Sequence, residues 1–210
     1  MRTGVKIFCG VLGFLILISV PLMARWDPDP QTTEIEPEGQ DPANLGEEVV
    51  PEEKQIWLKS PSFDSGDSIP EECTCDGSNI SPTLTWQGVP TNTESIALIM
   101  EDPDSPSGNW VHWVIYNLPE DMTTLSSSVP KEQILFDDAQ QGINSFLNVG
   151  YDGPCPPPGA VHRYYFRVYA LDTDISLESG ATKEELEDAM RGHILAEGEL
   201  MGTYQRKPSD

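Results

Sequence analysis

Positive charge is scarce in this chain: Lys and Arg total 12 against 35 Asp and Glu, a formal charge of −23. Such a balance repels polyphosphate backbones and anionic lipid surfaces at long range, so nucleic acid is not an expected partner. A small anion is still compatible with it, because a few donors converging in a cleft can oppose the net field. Histidine is scarcer still, with three residues, so each one in an apolar context asks for a reason. Catalytic signatures are missing too: there is no G-x-S-x-G elbow, no glycine-rich phosphate loop and no H-E-x-x-H pair. No enzymatic activity and no cofactor is expected.

Cysteine is sparse, and its count is odd where it matters. Cys9 lies inside an N-terminal apolar run, which leaves Cys73, Cys75 and Cys155. One bridge and one free thiol is the natural arithmetic. Cys75 with Cys155 is the expected pair, since Cys73 with Cys75 would close a very small strained ring. The spacing "CTC" also lacks the two-residue gap typical of zinc sites, so no metal is expected there.

The chain divides into three materials. Residues 1–26 contain "IFCGVLGFLILISVPLM", Ile7 to Met23, an uncharged run near the lower limit of about 17 residues for a spanning helix. It reads as an uncleaved anchor, with a cleaved signal peptide as the competing reading. Leu22 stands where a signal cleavage site wants a small residue. Arg2 and Lys6 precede the run, so the remainder is expected outside the cytoplasm, membrane-anchored or, on the competing reading, secreted. Residues 27–54 hold ten acidic residues, one basic residue and five prolines with no aromatic, an extended tether. Residues 55–210 carry the folded domain, itself strongly acidic with 25 acidic and 8 basic residues.

Within the domain, short apolar runs separated by turn residues read as strands: "QIWLKS", "TLTWQGVP", "SIALIME", "WVHWVIYNLP", "HRYYFRVYALD" and "HILAEGELMGTY". One helix is expected, capped by Thr182 with Glu185 three residues on, and presenting Leu186, Ala189 and Met190 on one face. A helical turn is expected at Lys131–Leu135. The weakly patterned stretch from Ser126 to Asn148 reads as an ordered surface excursion.

Three polar clusters interrupt these strands. Asp102 and Asp104 straddle Pro103 at a strand end, which alone is an ordinary turn. In "NWVHWVIYN" strict alternation puts Trp110, His112, Val114 and Tyr116 on one face. His112 then reads as a buried histidine tied to a carbonyl or carboxylate, or as a donor in a pocket below Trp110. In "YDGPCPPPGAVHRYY" a loop stiffened by proline runs straight into His162 and Tyr164 on one face, with Arg163 on the other. Together these would make a small cleft of imidazoles, a phenol and a carboxylate, able to donate to an anion. Asp102, His112 and His162 could also imitate a two-histidine, one-carboxylate metal site, though Trp110 and Tyr164 suit a binding pocket better.

The motifs "DPDSP" (Asp102–Pro106), "NWVHWVIYNLP" (Asn109–Pro119) and "GPCPPPGAVHRYYFRVYALD" (Gly153–Asp172) closely resemble the phosphatidylethanolamine-binding protein family, nearest its bacterial and archaeal Raf kinase inhibitor-like branch. "SPSFDSGDSIPEECTCDGSNISPTLTWQGVP" (Ser60–Pro90) and "AEGELMGTY" (Ala196–Tyr204) extend the likeness over the whole domain. The resemblance implies a mainly β, sandwich-like fold with a large central antiparallel sheet, a smaller sheet and one or two short helices. It also implies a small pocket for phosphate-like anions or phosphorylated ligands, formed by Asp102, Trp110, His112, His162 and Tyr164 with Pro157 and Pro158 as a wall. Asp104 and Arg163 are expected to brace the loop. The function expected is therefore a membrane-tethered, extracytoplasmic binding domain. The alternative is an inhibitor of a protease or signalling enzyme through protein contact, as some family members are.

Overall fold

The computed structural model describes residues 55–207. The expected membrane segment (1–26) and acidic tether (27–54) lie outside the described residues. Among the described residues no helix is long and apolar enough to cross a membrane.

The fold is mainly β, with eight strands: β1 (Trp57–Lys59), β2 (Leu84–Gln87), β3 (Ser95–Asp102), β4 (Trp110–Pro119), β5 (Thr124–Leu125), β6 (Gln140–Gln141), β7 (Val161–Leu171) and β8 (Ile194–Gln205). They form an antiparallel five-stranded sheet, β6-β4-β3-β7-β8, and a three-stranded sheet, β1-β2-β5. The central strand β3 is buried at every residue, as an unbroken apolar run demands when both faces are covered. On one face Ile96, Leu98 and Met100 pack with Leu58, Leu84 and Trp86 of the small sheet. On the other, Ala97 and Ile99 pack with Leu186 and Met190 of the helix α1, Lys183–Met190.

Helix α1 starts where the residue types dictate. The Thr182 hydroxyl accepts the Glu185 amide, and the Glu185 carboxylate accepts the Thr182 amide, which satisfies two donors that an uncapped first turn leaves bare. Its packing then rests on Leu186, fully buried. Truncating such a side chain to alanine typically costs about 2–5 kcal/mol.

Two expectations change. Residues 131–135 do not form a helical turn; the turn is a short 3-10 segment at Phe136–Asp138, a second one lying at Glu71–Cys73. The reason is that Gln141 claims the preceding stretch: its side-chain amide donates to the carbonyls of Pro130 and Glu132, both at 2.7 Å, holding that backbone open. The same side chain accepts the Trp113 indole N–H at 2.8 Å, so the 126–148 excursion is pinned to the core. Strict alternation also fails along β4, where the register shifts opposite Met100 and Glu101.

Candidate functional site

The end of β3 and the starts of β4 and β7 meet at one end of the large sheet. Asp102 pairs across the ladder with Trp110, and His162 lies on β7 beyond the Glu101–Tyr165 pair. Side chains of Asp102, Trp110, His112 and His162 line a pocket of about 180 Å³, small beside the several hundred cubic ångströms of a typical ligand cleft.

The β-bulge decides where His112 points. Met100 pairs with Trp113 and Glu101 with Val111, so His112 is the extra residue between them. Alternation would have grouped it with Val114 and Tyr116, whose side chains pack against the α1 side. Instead its ring meets Tyr164 edge-on at 5.2 Å, on the opposite face. His112 Nδ1 donates to the Asp152 carbonyl at 2.5 Å, and the Asp152 amide donates back to the His112 carbonyl at 3.0 Å. Because Nδ1 faces a carbonyl, it carries the proton, which leaves Nε2 as the nitrogen for the pocket. Burial lowers the His112 pKa, outweighing the pull of the Asp152 carbonyl and of the Asp102 and Asp152 charges.

Asp152 is itself fixed. Its carboxylate accepts from Asn79, Lys131, Asn144 and Asn148, each at 2.9 Å. Burial acts to raise its pKa, but the hydrogen bonds from Lys131, Asn148, Asn144 and Asn79 prevail and hold it below the ordinary value.

His162 hangs from a different kind of partner. Its Nδ1 lies 2.7 Å from Asp102 Oδ2, with both side chains buried, so a second proton on the ring makes an ion pair. Asp102 Oδ1 accepts the Asp104 amide at 2.8 Å, closing the turn that begins the next loop. Asp104 then grips Arg163 at Nε, Nη2 and the backbone amide, at 2.8, 2.6 and 2.9 Å. The Arg163 hydrogen bonds hold the Asp104 carboxyl down at about 2.

Aromatic rings complete the floor and lip. Tyr164 is fully buried and does not line the pocket; it lies between the two imidazoles, 5.2 Å from His112 and 6.5 Å from His162, centroid to centroid. Trp110 lines one side, with Phe146 edge-on to both Trp110 (5.3 Å) and His112 (5.5 Å). Two buried polar atoms of this cluster, Trp110 Nε1 and Tyr164 Oη, have no hydrogen-bond partner. Such orphan donors are uncommon in folded proteins, and Trp110 Nε1, which belongs to a residue lining the pocket, marks where a ligand oxygen would be welcome.

The proline-rich wall sits one residue earlier than expected. Pro156 and Pro157 line the pocket together with Cys155, whereas Pro158 is exposed and is not part of the lining. Cys155 is bridged to Cys75, with Cα atoms 5.4 Å apart, and Cys73 is free and buried. The Cys75 amide donates to the Pro154 carbonyl at 3.1 Å, tying the wall to the neighbouring loop. Gly153 allows this contact, since a Cβ there would stand 2.0 Å from the Cys73 carbonyl oxygen.

Several contributors carry no motif that a single sequence would expose. Phe146, Asp152 and the asparagines 79, 144 and 148 sit in polar loops without periodicity. Phe146 is placed by Ser145, whose hydroxyl accepts the Val111 amide and whose amide donates to the Val111 carbonyl, both at 2.9 Å. Ser105 and Ser107 also line the pocket. No hydrogen bond among the described residues joins either hydroxyl to His112 or His162.

The family model described as phosphatidylethanolamine-binding protein matches residues 59–205. A UPF0098 protein of Methanothermobacter thermautotrophicus is 53% identical over 149 residues, covering 71% of this chain and 98% of that one. A crystal structure of a putative homologue from Chlamydia trachomatis is 44% identical with a TM-score of 0.67, covering 73% of this chain and 99% of the other. Escherichia coli YbcL is 32% identical with a TM-score of 0.68 over the same shares. This chain belongs to the phosphatidylethanolamine-binding protein family.

Proposed function

We propose that the domain binds a small phosphate-like anion or phosphorylated ligand, without turnover, in the pocket between His112 and His162. The observation that carries this reading is the buried, unpartnered donor Trp110 Nε1 beside two imidazoles in a pocket of about 180 Å³. Burial, followed by the nearby Asp102 charge, raises the Tyr164 pKa, so the buried phenol between the imidazoles keeps its proton and adds no negative charge behind the pocket. The volume suits a headgroup-sized oxyanion and not acyl chains. A domain with 25 acidic and 8 basic residues has no electrostatic attraction to anionic membranes, so proximity to a bilayer would come from the apolar run Ile7–Met23. That run supports an anchored domain held outside the cytoplasm.

A second reading, inhibition of another protein through surface contact, is favoured by one feature. Leu147 is 83% exposed next to Phe146 at the pocket lip. The test is a titration with inorganic phosphate, followed by the Trp110 indole and the two imidazole NMR resonances. Saturable shifts of all three support the pocket. Their invariance at about 10 mM phosphate, where even a Kd near 1 mM gives near-saturation, would remove it.

A further inference from the structure

One wall of the pocket has a single covalent tie to the rest of the fold and no long-range hydrogen bond. Cys155, Pro156 and Pro157 line the pocket, and Pro158 follows them. Proline has no amide proton, so three of these four residues cannot donate from the backbone. Among the described residues the four take part in one hydrogen bond, from the Ala160 amide to the Pro157 carbonyl at 3.2 Å, and it is local to the loop. Burial of Pro156 adds packing, which is non-directional. The flanks are fastened separately. The Gly153 amide donates to Asn79 Oδ1 at 2.7 Å, and Gly159 donates to the Arg206 carbonyl at 2.9 Å and accepts from the Gln205 side chain at 2.7 Å. Between those flanks stand the Cys75 amide on the Pro154 carbonyl and the Cys75–Cys155 bridge. Both ties end on Cys75.

Cys75 is a firm post. Thr74 before it is buried, its hydroxyl donating to the Glu71 carbonyl at 2.8 Å, and the Asp76 carboxylate after it accepts from the Tyr204 hydroxyl and Arg206 Nε, each at 2.9 Å. Cys75 and Cys155 are themselves both exposed, and exposed bridges are the ones that thiols reach and reduce. The geometry assigns to Cys75–Cys155 the role of a redox-modified latch: an external dithiol reduces it, the Cys155–Pro158 wall comes loose from Cys75, and the pocket binds its anion more weakly. The loss of affinity rests on the anion site proposed above, whereas the loosening of the wall does not. The step balances within its two reactants. One thiolate of the dithiol attacks a bridge sulfur, breaking the S–S bond and expelling the other cysteine as a thiolate. The second thiolate then closes the dithiol into its own disulfide and expels the first cysteine. Two electrons pass to the bridge, and the two protons lost by the dithiol end on Cys75 and Cys155. Cys73 does not compete, because it is buried and burial pushes its thiol up to about 11, leaving little thiolate near neutral pH. The freed cysteines are therefore not captured in a wrong bridge.

The test reduces the full chain with dithiothreitol and compares it with the oxidised chain. Hydrogen exchange reads the wall: the Cys75 and Gly159 amides, bonded to Pro154 and Arg206, are expected to exchange at least about tenfold faster after reduction, with the β3 and β7 amides unchanged. Titration with inorganic phosphate reads the pocket, and affinity is expected to fall at least about tenfold as the preorganised wall is lost. The double variant Cys75→Ser, Cys155→Ser should match the reduced chain in both readouts. A bridge that opens only when the sheet amides lose protection overturns the latch, as does unchanged exchange at Cys75 and Gly159. Unchanged phosphate affinity in a reduced, folded chain also overturns it and leaves the anion site standing. Phosphate binding by neither form removes the anion site and with it the claim on affinity, and exchange at Cys75 and Gly159 alone then upholds or overturns the latch.

Discussion

His112 and Asp152 hold each other twice, ring Nδ1 to carbonyl at 2.5 Å and amide to carbonyl at 3.0 Å, across 40 positions of sequence. The bulge in β4 turns the imidazole out of the regular pleat, and the loop at Asp152 receives it. The orientation of the ring thus depends on a residue that does not itself line the pocket. Four donors converge on the Asp152 carboxylate, so Asp152→Ala removes an acceptor from the buried Asn144 amide and from the more exposed Asn79, Lys131 and Asn148. A loss of about 1–3 kcal/mol in urea unfolding is expected, the cost of the one buried group left short of an acceptor. The His112 resonances should shift in the folded variant. A loss under about 1 kcal/mol would mean that solvent replaces the network.

Acid should weaken the fold in two stages. His112 has a lowered folded pKa, so the unfolded chain binds more protons near its ordinary value of about 6.5, and stability falls as pH drops from there. Asp152 and Asp104 are also held low, Asp104 at about 2, so their contribution is present above about pH 4 and disappears as pH falls through the folded values. Urea midpoints measured from neutral pH downward should show both declines. A flat profile between about pH 7 and pH 5 would contradict a buried neutral His112.

The Cys75–Cys155 bridge spans 80 positions and carries one wall of the pocket. Replacing both cysteines with serine is expected to cost about 2–4 kcal/mol of stability, as for long loops generally. Cys73 should resist thiol reagents in the native state, because it is 2% exposed and burial pushes its thiol up to about 11. Rapid labelling of Cys73 would show that this part of the core opens readily.

Gly153 and Gly159 lie in the same loop and should respond differently to alanine. At Gly153 the new Cβ meets the Cys73 carbonyl oxygen at 2.0 Å, so backbone must move, at a cost of about 3 kcal/mol or more. At Gly159 the space is open and only the positive φ of 85° opposes the change, at about 1–2 kcal/mol. Similar losses at both sites would mean that the 73–153 contact is less tight in solution.

Strands β1–β4, β7 and β8 and the helix cap could be read from residue pattern, because burial on one or both faces imposes a period and Thr182 with Glu185 imposes a start. The two-residue strands β5 and β6 are too short to carry any period. His112 was recognisable as a site residue, but its direction was not: a bulge depends on the register of the opposing strand, which one strand's sequence does not encode. Asp152 was hidden for a related reason. Its partners Asn79, Lys131, Asn144 and Asn148 are scattered over loops and acquire meaning only when the chain brings them together. Pro158 was displaced from the wall because a run of three prolines offers no internal mark of register, whereas Cys155, tied to Cys75, supplies one in space.

On the proposed function, the cleft between His112 and His162 receives a phosphoryl group. A crystal of the domain soaked with a phosphomonoester such as phosphoethanolamine tests it most directly. A phosphorus atom is expected between the two imidazoles, with oxygens in hydrogen-bond range of Trp110 Nε1 and His162. A clear map with the ligand bound elsewhere, or absent while the pocket is open to solvent, would contradict it.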